Sequence, residues 1–242
     1  IIIDKNSMSI GFLAYNWVGL DNASQITEHI ATASDGVVNY TWNRDTAKNL
    51  CRRIDINEKN KNVLNDIKML RNKVDILILM PHWGYEWTIF PPYGVILEAK
   101  TFIDSGVDLI IGSHPHIPQG IQEYNNGLIA YSLGNFLFDG ISDRFKYGMV
   151  LECEIESRTI RKYFATFVKR GFNFQIEPVS QEEHEFNLLL INKSNEAILS
   201  NIAEQILDDE LIYREYENQY NSLKLKKIIY LLKTLPGRPF II

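Results

Sequence analysis

Cysteine is scarce in this sequence, since only Cys51 and Cys153 occur among 242 residues. Two widely separated cysteines exclude a disulfide framework and a cysteine-based zinc knuckle, and they leave the redox compartment open. An excess of basic residues is also missing, because 25 Lys and Arg stand against 30 Asp and Glu, for a net charge of −5. This balance excludes a generic binder of nucleic-acid phosphates, which needs a basic face.

Long hydrophobic runs are missing too. No apolar run reaches the roughly 18 residues that a membrane-spanning helix needs. The sequence opens at Ile1 rather than at Met, inside an apolar run, and we interpret it as a fragment or a trimmed chain. The absence of a signal peptide or anchor therefore says nothing about the intact protein. The remaining composition, 45% hydrophobic and 23% charged, is ordinary for a globular domain.

Alternating helices and strands are predicted in the first half of the chain. An apolar strand is predicted at Met8–Tyr15. Helical spacing of apolar residues within Glu58–Lys73 leads into the continuous apolar run Asp75–Met80. A second helix is predicted after Pro91-Pro92, and it leads into the apolar run Val107–Ile111. This alternation with short connectors is typical of a parallel sheet covered by helices.

The pattern changes after residue 111. The runs Gln119–Tyr124 and Leu128–Leu133 flank Asn125-Asn126-Gly127, which predicts a tight hairpin. Further antiparallel strands are predicted at Gly148–Glu156, Ile160–Val168 and Phe172–Val179. Beyond about Gln181 the composition becomes charged and helical, with a helical pattern from Glu196 to Lys233. We therefore divide the chain into an α/β and mixed-sheet body, residues 1–180, and a helical C-terminal extension, residues 181–242.

Three of the five histidines follow the two predicted parallel strands. His82 comes after the first of these strands, and His114 and His116 come after the second. The carboxyl ends of neighbouring parallel strands share one edge of the sheet, and neutral imidazole is a common metal ligand. Pro115 is expected to hold His114 extended, so that the two flanking imidazoles point the same way. A divalent-metal site is favoured over the alternative, in which these are packed or solvated loop residues.

Three ordered motifs resemble a known family: residues 81–87 (PHWGYEW), residues 111–116 (IGSHPH) and residues 131–136 (YSLGNF). In this order they resemble the bacterial capsule-synthesis CapA family, associated with poly-γ-glutamate, within the calcineurin-like metallophosphoesterase superfamily. The similarity runs loosely from Met8 to Val179 and is tight from Ile76 to Asp139. It implies the C-terminal part of a metallophosphoesterase-like α/β sandwich with a mixed sheet, followed by a helical C-terminal tail.

The resemblance implies a metal site with one or two divalent ions, among which Mn, Fe and Zn are not distinguished. His82 and His114 would then face one metal and His116 the other. Glu86 and His116 are the candidate catalytic residues, with Glu86 as a metal-side carboxylate, a general base or an orienter of an imidazole. The implied chemistry is attack of metal-activated water on a phosphoester or an amide.

Trp83, Asn135 and Arg144 are the candidate substrate-binding residues, for an anionic polymer or a phosphorylated substrate. The alternatives are ordinary ones: packing for Trp83, a plain turn for Asn135 and a solvated loop for Arg144. The resemblance also suggests capsule-synthesis proteins as partners and the outer face of the cell envelope as the location. No nucleic-acid partner is expected, and no transmembrane segment is expected in this chain.

Two departures from the family pattern affect this interpretation. Ser113 stands directly before the histidine pair, where the wider superfamily commonly has glycine; this fits the capsule branch. The family's first-half motifs, Gly-Asp, Asn-Leu-Glu and Asn-Asn-His, would lie upstream of Ile1, so the chain alone would offer a partial metal site. Two functions are therefore consistent with the sequence: a metal-dependent hydrolase of cell-envelope polymer metabolism, and a non-catalytic scaffold of a capsule-synthesis complex.

Overall fold

A six-stranded mixed sheet forms the centre of the fold in a computed structural model that describes residues 1–5, 7–17, 60–138 and 146–200. Its strands are β1 (Ile2–Lys5), β2 (Met8–Asn16), β3 (Ile76–His82), β4 (Leu109–Ile111), β5 (Ile121–Tyr124) and β6 (Gly127–Ala130). They lie in the order β1-β2-β3-β4-β6-β5. The four central strands run parallel, and the two edge strands pair antiparallel with their neighbours. The predicted mixed sheet is confirmed.

Two helices cover one face of this sheet. Helix α1 (Lys61–Arg71) buries Val63 and Ile67, and helix α2 (Tyr93–Asp104) buries Ala99 and Phe102 completely. These apolar positions recur at helical spacing, so each helix presents one continuous apolar stripe to the strands. Both helices lie where the sequence predicted them, and α2 begins directly after the two prolines.

A second, three-stranded antiparallel sheet packs on the other face. It consists of β7 (Tyr147–Glu156), β8 (Thr159–Arg170) and β9 (Ile176–Pro178). Met149 and Phe167 from this sheet share one core with Ile76 and Leu109 of the central sheet. The α/β class is thereby confirmed as three layers: helices, mixed sheet and antiparallel sheet. Strand β9 is shorter than predicted, because Phe174 turns through a positive φ of 62° before it.

One strand was not predicted from the sequence, and one helix begins earlier than the predicted helical pattern. Edge strand β1 contains the isoleucines at positions 2 and 3, which are exposed and show no alternation of buried and exposed positions. Helix α3 (Gln181–Leu199) begins well before Glu196. A capping box starts it: the Ser180 hydroxyl accepts from the Glu183 N–H, and the Glu183 carboxylate accepts from the Ser180 N–H.

Helix α3 packs on the body of the protein. The Ser194 hydroxyl accepts from the Gly120 N–H at 2.8 Å, and the Asn195 side-chain oxygen accepts from the Ile121 N–H at 3.0 Å. The helix thereby satisfies backbone donors at the start of edge strand β5. The rest of the predicted helical pattern, residues 201–233, lies outside the described residues. Among the described helices, none is long and apolar enough to cross a membrane.

Glu183 ties the start of α3 to the second sheet. The Lys169 ammonium donates to its carboxylate at 2.7 Å, and the Tyr147 hydroxyl donates to it at 3.2 Å. Burial by itself would raise the pKa of Glu183. Burial is the largest single effect, but the Lys169 hydrogen bond, the Ser180 N–H and the Lys169 and Lys146 charges together outweigh it, and the pKa falls from 4.5 to about 2.

This ionised carboxylate should make the stability of the fold depend on pH. Because the folded pKa lies below the unfolded value, the stabilisation is complete above about pH 4.5 and is lost as the pH falls towards 2. Glu183→Gln should lower the free energy of unfolding by about 1–2 kcal/mol at pH 7. Urea denaturation at pH 7 and at pH 2.5 measures both values, and the difference between variant and wild type should shrink at the lower pH.

The matched control is Glu185→Gln, which changes an exposed carboxylate on the same helix. It should alter the free energy of unfolding by less than about 0.5 kcal/mol at either pH. Equal losses for the two variants at pH 7 would contradict the role assigned to Glu183.

Candidate metal centre

Three loops meet at the carboxyl edge of the central sheet, one after each of the parallel strands β3, β4 and β6. Isolated bridges extend the strand pairing into these loops, between His82 and Ser113 and between Pro118 and Leu133. The Trp87 N–H donates to the Pro115 carbonyl at 2.8 Å and fastens the first loop to the second. The sheet therefore holds the predicted motifs side by side.

The three histidines converge at this edge. The ring centroids of His82 and His114 lie 4.8 Å apart, and those of His114 and His116 lie 6.0 Å apart. Imidazoles from two neighbouring loops therefore come together, as the strand pattern predicted.

Among the described residues, Glu86, His114 and His116 form a group of possible metal ligands. One ligand atom from each residue lies within 4.8 Å of the other two. His82 stands beside this group rather than in it, next to the His114 ring. The predicted assignment of His82 and His114 to one metal and His116 to another stays a prediction. Glu86, expected as a carboxylate near the site, is one of the three members of this group.

The environment of the His114 side chain is the one expected of a metal ligand. This residue is only 7% exposed, and its Nε2 atom is buried without a hydrogen-bond partner among the described residues. A buried polar atom without a partner is unfavourable, by about 1–3 kcal/mol, unless an ion or a water satisfies it. Two imidazole nitrogens and one carboxylate oxygen form a donor set that suits Zn²⁺ and other divalent transition metals. The residues present therefore fit a divalent cation.

The electrostatics of the cluster favour neutral imidazoles. Burial lowers the pKa of His114 most, and the neighbouring His82 and His116 lower it further, to about 3. The pKa of His82 is also lowered, by burial first and then by His116. A metal ligand must be unprotonated, so these shifts keep the two rings ready to bind a cation at neutral pH.

The backbone of the His114-Pro115-His116 segment differs from the prediction. His114 has a φ of 99° and His116 a φ of 60°, so the expected extended conformation of His114 is wrong. The strand pairing ends at Ser113, and the chain must turn back within a few residues towards Pro118. Positive φ values at residues other than glycine are unfavourable, on the order of 1–3 kcal/mol each, and they cluster at functional sites.

Asn135 contacts a histidine of the cluster. Its side-chain oxygen lies 2.9 Å from Nδ1 of His116, and the ring of Phe138 packs 4.7 Å from the His116 ring. Because an amide oxygen can only accept, Nδ1 of His116 carries the proton and Nε2 carries the lone pair. Asn135 thus orients a candidate ligand, and its predicted contact with substrate stays a prediction.

Trp83 lies in the core rather than at the surface of the site. Its side chain is 1% exposed, and its indole N–H donates to the Tyr131 carbonyl at 3.0 Å. The expected substrate contact of Trp83 stays a prediction, and in this structure its indole fills space beside Gly112 at the end of β3. Arg144, the remaining predicted substrate residue, lies outside the described residues.

Ser113 contacts the site in a way that the sequence analysis did not predict. Its hydroxyl oxygen lies 3.0 Å from Nδ1 of His82. The signal was present in the sequence: parallel pairing of the predicted strands places the residue after Gly112 across from His82.

Comparison with known proteins agrees with the resemblance. Capsule biosynthesis protein CapA of Bacillus anthracis is 41% identical over 69 residues, covering 28% of this chain and 17% of that protein. PGA biosynthesis protein CapA of Bacillus subtilis strain 168 is 40% identical over 73 residues, covering 30% and 19%. A probable polyglutamine synthesis accessory protein of Mycobacterium tuberculosis is 34% identical over 65 residues, covering 27% and 17%. The aligned segments thus span less than a fifth of each of these relatives.

A solved structure, the NAD nucleotidase of Haemophilus influenzae, aligns with 87% of this chain and 42% of its own at a TM-score of 0.30 and 10% identity. That similarity is too low to support a conclusion. The model of the family described as "Bacterial capsule synthesis protein PGA_cap" matches residues 1–140, which is more than half of the chain. The chain therefore belongs to the PGA_cap family of bacterial capsule synthesis proteins.

Proposed function

We propose that this chain carries the metal-holding edge of a metal-dependent hydrolase that acts in the synthesis of a capsule or another anionic cell-envelope polymer. The observation that carries the proposal is the group formed by Glu86, His114 and His116, with the buried and unpartnered Nε2 atom of His114. Since the aligned segments cover less than a fifth of the related CapA proteins, further ligands from outside this chain are part of the proposal.

A divalent cation at such a site supplies Lewis acidity, which acidifies water and polarises an oxygen of a phosphoester or an amide. The protein's own contribution is to present neutral, oriented ligands. His114 is buried and held in a strained turn, and Asn135 orients His116 through Nδ1. Glu86 either completes the ligand set or accepts a proton from the attacking water.

The substrate class follows from the family and from the chemistry of the site. The related proteins are named for the synthesis of capsule or of PGA. A cationic centre suits a substrate rich in carboxylates or phosphates. We therefore propose an anionic polymer or a phosphorylated precursor as substrate, with Arg144 as a further cation for it and capsule-synthesis proteins as partners.

Metal content tests the ligand assignment directly. After gentle purification, the chain should carry close to one equivalent of a divalent transition metal by mass spectrometry. His114→Ala and His116→Ala should each weaken Zn²⁺ or Mn²⁺ binding by at least about 100-fold, because each removes a directly bonded ligand. His184→Ala is the matched control, since this histidine packs against Phe167 in the second sheet, 5.5 Å between ring centroids.

The control should keep the metal content and affinity of the wild type. Less than about half an equivalent in the wild-type chain, with no binding on titration, would contradict the metal centre. The scaffold function would then be the better account, with the histidines held by packing alone.

Hydrolysis tests the role of Glu86. Glu86→Gln keeps the size of the side chain and removes its charge, so hydrolysis of bis(p-nitrophenyl) phosphate or of a γ-glutamyl peptide should fall by about 100-fold or more. Glu152→Gln changes an exposed carboxylate on β7 and should leave the rate unchanged. A metal-loaded chain whose hydrolysis is insensitive to Glu86→Gln would refute the catalytic role of this carboxylate.

A further inference from the structure

We propose that Ser113 is a positioning residue that fixes His82 as its Nδ1–H tautomer and so keeps Nε2 of His82 available as a further ligand of the candidate metal centre. The metal part of this inference rests on the proposed function, whereas the tautomer part does not require a bound metal. Ser113 itself would contact neither metal nor substrate. It would act through His82.

The backbone places Ser113 directly beside His82. The Ser113 N–H donates to the Pro81 carbonyl at 3.0 Å, and the Trp83 N–H donates to the Ser113 carbonyl at 3.0 Å. These two bonds flank the parallel bridge between His82 and Ser113. Because the two loops are joined residue against residue, the backbone fixes the separation of Ser113 and His82 and brings the serine hydroxyl within reach of the imidazole.

The Ser113 hydroxyl has one proton and two neighbours that could accept it, the carbonyl oxygen of Pro81 and Nδ1 of His82. Ser113 Oγ lies 3.4 Å from the carbonyl oxygen of Pro81, which can only accept. With the hydroxyl proton directed to Pro81, a lone pair of the serine oxygen faces Nδ1 of His82, 3.0 Å away, and accepts from an Nδ1–H there. A neutral imidazole has a single N–H, so the proton on Nδ1 leaves the lone pair on Nε2.

A hydrogen-bond acceptor at Nδ1 also orients the ring of His116. The side-chain oxygen of Asn135 accepts from Nδ1 of His116, which also leaves the lone pair of that ring on Nε2. In His114 it is again Nε2 that is buried without a hydrogen-bond partner among the described residues. His82 and His116 are therefore both prepared to bind through Nε2. An acceptor on Nδ1 that fixes the binding tautomer is how proteins orient histidine ligands.

Nuclear magnetic resonance can read the tautomer directly. Long-range ¹H–¹⁵N spectra of the metal-free chain, labelled with ¹⁵N-histidine, should be recorded at pH 8, where an imidazole of ordinary pKa, about 6.5, is neutral. The spectrum of His82→Gln identifies the His82 signals. In the wild-type chain, His82 should show a protonated Nδ1 and an unprotonated Nε2.

Ser113→Ala removes the acceptor, so the His82 signals should shift towards the Nε2–H form. Ser113→Thr keeps the hydroxyl on a residue that suits a strand, and it should restore the wild-type pattern. Zn²⁺ affinity should fall by about 10–100-fold in Ser113→Ala and stay near the wild-type value in Ser113→Thr. A purely structural role for Ser113 would change stability without moving the tautomer.

The outcomes separate this inference from the proposed function. An Nε2–H form of His82 in the wild-type chain would overturn the inference, and that measurement does not require Ser113→Ala to fold. An unchanged His82 tautomer in Ser113→Ala would overturn it as well, whatever happens to metal affinity. A tautomer that changes in Ser113→Ala, in a chain that binds no metal, would support the control by Ser113 and refute the proposed function.

Discussion

Parallel pairing of β3, β4 and β6 is the constraint on which the candidate site depends. Parallel strands end at the same edge of a sheet, so motifs that are far apart in sequence become adjacent there without any further device. The bridge between His82 and Ser113 and the hydrogen bond from Trp87 to Pro115 carry this pairing into the loops. A change in the register of these strands would separate Glu86, His114 and His116 even if none of the three residues were substituted.

The candidate site also depends on unfavourable local conformations in the loop that contains His114 and His116. His114 and His116 both have positive φ, and Nε2 of His114 is buried without a partner among the described residues. Each feature is unfavourable by itself, and the packed layers above and below the sheet supply the stability that retains it. A cation that accepted the lone pairs of these rings would recover part of that free energy, which links metal binding to folding.

Features with strong local signals could be predicted from the sequence. The apolar run Asp75–Met80, the two prolines before α2 and the Asn-Gly turn between β5 and β6 each limit the chain to one local structure. The meeting of the histidines followed from strand order alone. The features that were missed depend on contacts between distant residues: the exposed edge strand β1, and the turn that overrides the preference of Pro115 for an extended His114.

The central claim is that one divalent cation binds between Glu86, His114 and His116. Anomalous X-ray diffraction from crystals of the chain grown with Zn²⁺ or Mn²⁺ and measured at the absorption edge of that metal tests it most directly. The account predicts a single strong peak bonded to Nε2 of His114, to Nε2 of His116 and to a carboxylate oxygen of Glu86. A map without a peak at this edge of the sheet, or a metal bound only elsewhere on the chain, would contradict it.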